Sequence, residues 1–97
     1  MIKKEISRKL IADIHKVPVF ERHLLKKGEY IGNIHIPAID IWSDRIEVLV
    51  DIRRNVFKKA IDKFVEEHEN VLRFAYFVSG PEFTPYVVFW VKKEYQS

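Results

Sequence analysis

Asp40, Glu47 and Asp51 are the carboxylates whose spacing in this chain invites chemistry. Ile39 and Ile41 flank Asp40, and Ile46, Val48 and Val50 alternate with Glu47 and Leu49 a few residues later. Joining the two runs by a two-residue turn at Ser43-Asp44 sets Ile41 opposite Ile46 and Ile39 opposite Val48. That register alone keeps the apolar side chains on one face. Asp40 then faces Glu47 directly, on the side away from the core. Like charges so placed destabilise a sheet unless something compensates. A divalent cation would compensate, with Asp51 further along the same face. Arg45, diagonal to Asp40, does so without any added ligand, so Arg45 is the expected answer and no metal is assigned.

The other reactive residue types are scattered. Asp40 with Asp51-Ile52-Arg53 departs from the Asp, Asp/Glu-x-Lys pattern of restriction-endonuclease-like nucleases, because Arg53 cannot give up a proton at neutral pH. Asp51 also lies about four residues, or ~13 Å of strand, beyond the position opposite Asp40. It reads instead as the N-cap of a helix starting near Arg53. His15, His23, His35 and His68 show no metal spacing within one element, and His68 falls on the buried stripe of its helix. His35, Asp51 and Arg53 are expected to gather near the strand ends, the best catalytic patch this sequence offers. Gly28, Gly32 and Gly80 are too dispersed for a phosphate loop, and there is no cysteine. No catalytic residue and no cofactor is assigned; a small metal-dependent hydrolase or nuclease is the last of three readings.

Cations and aromatics carry a stronger signal. Residues 1–28 hold eight Lys and Arg against three acids, a balance of +5, whereas residues 29–97 hold nine against eleven, a balance of −2. Lys4, Arg8, Lys9 and Lys16 fall on or beside the polar side of one N-terminal helix, a candidate phosphate-binding stripe. Arg73, Phe77, Tyr86 and Trp90, with Trp42 on another hairpin, are suited to stacking single-stranded bases on an open sheet face. Arg73-Phe74-Ala75-Tyr76 partly resembles the basic-aromatic-small-aromatic core of the RNA-recognition-motif signature, without its glycine. The competing expectation is a homodimer interface built from Phe77, Tyr86, Val88 and Trp90, because aromatics are enriched at protein interfaces as well.

The elements that position these residues follow from periodicity. Ile2, Ile6, Leu10, Ile14 and Val17 predict an amphipathic helix over residues 2–16. Pro18 opens a second, short helix over Val19 to Lys27, closed by Gly28. Ile34 and Ile36 start a strand whose parity changes at Pro37-Ala38, which predicts a bulge and an edge position. The strand over Ile46 to Ile52 comes next, then a helix over 53–69 with Phe57, Ala60, Ile61, Phe64 and Val65 buried and Asn70 as a left-handed cap. Val71–Val78 and Tyr86–Val91 form a terminal hairpin that is apolar on both faces, which asks for a covering on its second face.

Helix, two strands, helix, two strands predicts an α+β two-layer sandwich: a four-stranded, mostly antiparallel sheet with two main helices on one face, a ferredoxin-like permutant. Residues 1–97 make one domain, with a core small enough to gain from dimerisation. With 47% hydrophobic and 32% charged residues, and one Gln, one Thr and three Asn, the composition resembles a thermophile's. No apolar run is long enough for a membrane span and no signal peptide is evident, so a cytoplasmic location is expected. The reading is a non-catalytic binding module, homodimeric through the face of its second hairpin or by joining sheet edges, with DNA or RNA as ligand. A protein-binding regulator that uses the aromatic hairpin as its interface is the alternative.

Overall fold

The structure, a computed structural model, describes residues 1–97. The chain runs α1 (Lys4–His15), α2 (Pro18–His23), β1 (Glu29–Ile31), β2 (Ile34–Ile36), β3 (Ile39–Ile41), β4 (Arg45–Leu49), α3 (Lys58–Glu67), β5 (Leu72–Gly80) and β6 (Phe83–Val91), then a 3-10 turn at Lys93–Tyr95. This is an α+β fold with a four-stranded sheet in the order β3-β4-β6-β5 and a separate two-stranded sheet, β1-β2. All pairings are antiparallel.

One apolar cluster holds the main elements together. Leu10 and Ile14 of α1, Phe20 of α2, and Phe57, Ile61 and Phe64 at and within α3 meet Ile46 and Val48 of β4, Val87, Phe89 and Val91 of β6, and Leu72 of β5. Each such side chain contributes about 1.5–3 kcal/mol when fully buried. Phe20, Phe64 and Phe89 sit at its centre, with ring centroids 5.0–6.0 Å apart. The stripes expected on α1 and α3 are those that pack inward.

The β3–β4 register is the expected one, with Ile41 opposite Ile46, Asp40 opposite Glu47 and Ile39 opposite Val48, and β3 lies at the sheet edge. Several boundaries differ. The parity change at Pro37-Ala38 is a break between two strands instead of a bulge: β2 leaves the main sheet and pairs with β1 across Gly32-Asn33. Gly32 has φ +62°, a value that suits a tight hairpin turn. The second helix ends at His23, because Leu24 bridges Val50 and the Leu25 N–H donates to the Leu49 carbonyl at 2.9 Å. Gly28 closes the turn after it, at φ +68°.

Helix α3 begins at Lys58, five residues later than expected, and Asp51 does not cap it. The Asp51 carboxylate accepts from His23 Nδ1 at 2.8 Å, while the Asn55 side chain accepts the Phe57 N–H at 3.0 Å. No non-glycine residue has positive φ, so Asn70 is not a left-handed cap. The terminal hairpin is longer than expected, turning at Pro81-Glu82 with Gly80 opposite Phe83. A bulge places Leu72 opposite Val91 but Phe74 opposite Trp90, so Leu72 points to the core and Phe74 to the other face. No helix is long and apolar enough to cross a membrane.

Candidate functional site

Strand alternation assigns each residue of the main sheet to one of two faces. The helix-covered face takes Ile46, Val48, Val87, Phe89, Ala75 and Phe77. The other takes Asp40, then Arg45, Glu47 and Leu49, then Tyr86, Val88 and Trp90, then Phe74, Tyr76 and Val78, in four adjacent strands. The aromatics of this second face are locked together. Trp90 Nε1–H donates to the Tyr76 hydroxyl at 3.2 Å, Phe74 stacks on Tyr76 at an interplanar angle of 10°, and Phe74 and Trp90 lie 6.0 Å apart. The Arg45 guanidinium lies over both indoles, 4.5 Å from Trp42 and 5.0 Å from Trp90. Cation–π pairs contribute from ~0.5–1 kcal/mol at exposed sites to ~2 kcal/mol when desolvated, and these are only partly shielded, with Trp42 46% exposed.

Arg45 does answer the local negative charge, but through different partners from those expected. Its Nε–H donates to Glu47 and its Nη1–H to Asp44, both at 2.9 Å, and it makes no hydrogen bond to Asp40. Burial and the facing Glu47 charge therefore hold the Asp40 carboxyl above its ordinary pKa, against a smaller pull from Arg45 and the Trp42 indole. The Tyr86 hydroxyl is pushed up as well, first by burial and then by Glu47. Three carboxylates, Asp40, Asp44 and Glu47, meet one guanidinium here. This half of the face is unfavourable for a phosphate backbone.

The register separates the residues expected to act together. Phe77 pairs with Val87 on the core face and packs on Phe57 at 5.5 Å, so it shares no surface with Tyr86 and Trp90. Val88 is on the aromatic face but only 2% exposed beneath its neighbours, and it offers nothing to a partner. Tyr86 and Trp90 are half-buried, while Arg73 is exposed at the bulge with its guanidinium 5.4 Å from the Phe74 ring. Phe83 at the hairpin's turn is 44% exposed, and Phe74 and Tyr76, each 42% exposed, are the open aromatics of β5. Their edge position was not readable from one strand's periodicity; the order of strands supplies it.

Lys4, Arg8, Lys9 and Lys16 are exposed, on the helical side and away from the aromatic face. A cleft of about 550 Å³ between α1 and α3 gathers Lys9, Lys16 and Lys63 around Asp13, Glu67 and His68, above Phe64 and Val17. Lys9 reaches Asp13 at 3.0 Å and Lys16 at 3.8 Å. His68 Nδ1–H donates to the Phe64 carbonyl and Nε2–H to Asp13, both at 2.7 Å. Burial pushes the Asp13 carboxyl up, but hydrogen bonds from His68 and Lys9 and the charges of both outweigh it and hold the group below its ordinary value.

The expected catalytic patch does not assemble. His35 donates Nε2–H to the Lys27 carbonyl at 2.8 Å and lies against Tyr30, whereas Asp51 faces His23. Arg53 donates to the carbonyls of Gly80 and Phe83. No group of three or more His, Asp or Glu side chains is placed to hold a metal ion. No protein-family model, no curated protein and no solved structure matches this chain.

Proposed function

We propose that the protein is a non-catalytic, homodimeric binding module that pairs through its β5–β6 hairpin and meets nucleic acid, by its phosphates, on the helical side. One observation carries this reading: the exposed aromatics Phe74 and Tyr76 lie on one face of the main sheet, and the exposed Lys4, Arg8, Lys9 and Lys16 lie on the other side of it. A dimer formed through the hairpin leaves Lys4, Arg8, Lys9 and Lys16 of both chains exposed to a polyanion, Lys9 and Lys16 sharing Asp13 and Lys4 and Arg8 outside any ion pair. Base stacking by Tyr86 and Trp90 is the weaker half of the original expectation, since Asp40, Asp44 and Glu47 crowd the same face. The order β3-β4-β6-β5, with α1 and α3 sharing one cluster, supports a two-layer, ferredoxin-like permutant as the scaffold.

The test is fluorescence anisotropy of labelled single- and double-stranded oligonucleotides at two salt concentrations. The reading expects binding that weakens as salt rises, with a log–log slope of roughly −0.7 to −0.9 per phosphate contact. Lys4→Ala with Arg8→Ala should lower that slope. Absence of binding at low salt would overturn the nucleic-acid half. The second reading, a regulator that binds another protein through the aromatic face, would then stand, favoured by the preformed cluster of Trp42, Arg45, Trp90 and Tyr76.

A further inference from the structure

The two edges of the main sheet are protected very differently. Strand β3 is three residues long, follows Pro37 and carries Asp40 at its centre, the usual devices against edge-to-edge pairing. Strand β5 is nine residues long and pairs only with β6. Its far end is occupied, because Ser79 donates to the Arg53 carbonyl at 3.0 Å and Arg53 donates to Gly80. Between the Arg73 bulge and Ser79 there is no Lys, Pro or acid to guard Phe74-Ala75-Tyr76-Phe77-Val78.

Backbone parity identifies the free groups. The Val91 N–H donates to the Asp44 carbonyl and the Val50 N–H donates to the Pro85 carbonyl, so odd residues of β6 turn their peptide groups toward β4. Even residues of β6 turn theirs toward β5, as Lys92 does just beyond the strand by donating to the Val71 carbonyl. Phe74, Tyr76 and Val78 lie opposite Trp90, Val88 and Tyr86 and are therefore bonded to β6, leaving the N–H and C=O of Ala75 and Phe77 pointing outward. A groove of about 160 Å³ runs along these two residues, bounded by Asn55, Lys58, Ile61 and Asp62.

We infer that this edge is where two copies of the chain join, antiparallel, about a two-fold axis at Tyr76. The inference rests on the homodimer reading above and specifies its surface. In this register Ala75 of one chain faces Phe77 of the other, so all the outward peptide groups of both residues find partners, and the smallest side chain of the segment meets one of the largest. An isologous pairing of this kind needs a self-complementary edge, and an Ala and a Phe flanking the axis supply one. Tyr76 then meets its own counterpart and Phe74 meets Val78, which covers the two exposed aromatics of β5. Lys58 and Asp62, one helical turn apart on α3 at the groove, would lie across the axis from Asp62 and Lys58 of the second copy. Two four-stranded sheets become one of eight strands, and the aromatic face continues through the seam.

The experiment uses the absence of cysteine from this chain. Facing residues in a non-hydrogen-bonded antiparallel pair have Cα atoms about 4.5 Å apart, inside the ~4.4–6.8 Å range of a disulfide. Tyr76→Cys should form a two-chain covalent species under mild oxidation, and Phe74→Cys, displaced from its counterpart by about four residues of strand or ~13 Å, should not. In sedimentation, wild type should run at two-chain mass. Lys58→Asp should shift it toward one chain, and Lys58→Asp with Asp62→Lys should shift it back. Wild type that stays a monomer at every concentration overturns both this inference and the homodimer reading. A dimer in which Tyr76→Cys fails to cross-link, or in which Lys58→Asp has no effect while Trp90→Glu dissociates it, overturns the edge alone.

Discussion

Asp40 illustrates how a single side chain can be read in opposite ways from sequence and from space. Its position opposite Glu47 was evident from the alternation of Ile39, Ile41, Ile46 and Val48. Its relief by Arg45 was not, because the guanidinium is drawn to Glu47 and Asp44 by two 2.9 Å hydrogen bonds and to Trp42 and Trp90 by their ring faces. The carboxyl is left with a pKa above that of the unfolded chain. A raised carboxyl pKa means that the folded state binds the proton more tightly, so stability is lost as pH rises through the window between the two values. Asp40→Asn should therefore stabilise the protein at pH 7, by about 0.2–1 kcal/mol, the usual size of a cross-strand charge effect. The gain should disappear on acidification below the carboxyl's pKa. Urea denaturation at pH 7 and pH 4 checks this; an unchanged or lower midpoint at pH 7 would show that Asp40 holds a favourable contact.

At the scale of elements, the β1–β2 hairpin was hidden by its shortness and Gly28 is what places it. Built onto Gly28, a Cβ would overlap the Ile36 carbonyl and come within 2.8 Å of His35 Nε2, and the residue has φ +68°. Gly32 at φ +62° has only open space around it. Left-handed backbone costs a non-glycine residue roughly 1–2 kcal/mol, so Gly32→Ala should lose about that much and Gly28→Ala more. Hydrogen exchange at the cross-strand bonded amides of Glu29, Ile31, Ile34 and Ile36 would report the difference; equal effects would mean that the turn relaxes around the new methyl. The sequence did contain a signal here, since Gly-Asn is a two-residue hairpin dipeptide. Reading Ile34 to Ile41 as one interrupted strand obscures it. The bulge at Arg73 had no comparable signal, because Leu72 and Phe74 are both apolar and their alternation continues unbroken through it. The register of β3 with β4 was legible for the opposite reason: only one pairing keeps its isoleucines and valines together. That Lys4, Arg8, Lys9 and Lys16 lie on the other side of the sheet from Tyr86 and Trp90 was not legible either, since nothing in a linear pattern says which face of the sheet a helix covers.

Across the whole molecule, α1 and α3 share one apolar cluster, and His68 with Asp13 adds a long-range polar contact between them. These residues are 55 positions apart and join the last turn of α1 to the end of α3. Phe64 completes the joint, accepting from His68 Nδ1 and stacking on its ring at 4.0 Å. The Asp13 carboxyl is held below its ordinary pKa by His68 and Lys9 in spite of its burial. A depressed carboxyl pKa stabilises the fold above the unfolded-state value of about 3.9, and that contribution is lost as pH falls through the folded value. Asp13 thus acts on acid stability in the direction opposite to Asp40. Asp13→Asn should cost about 1–3 kcal/mol at neutral pH, the range for stripping a charged partner from a largely buried donor. It should also flatten the acid limb of the stability profile, because the group that titrates there is gone. Thermal melts from pH 7 to pH 2.5 separate this from a general packing defect, which would lower every point by the same amount and leave the slope as steep as in the wild type.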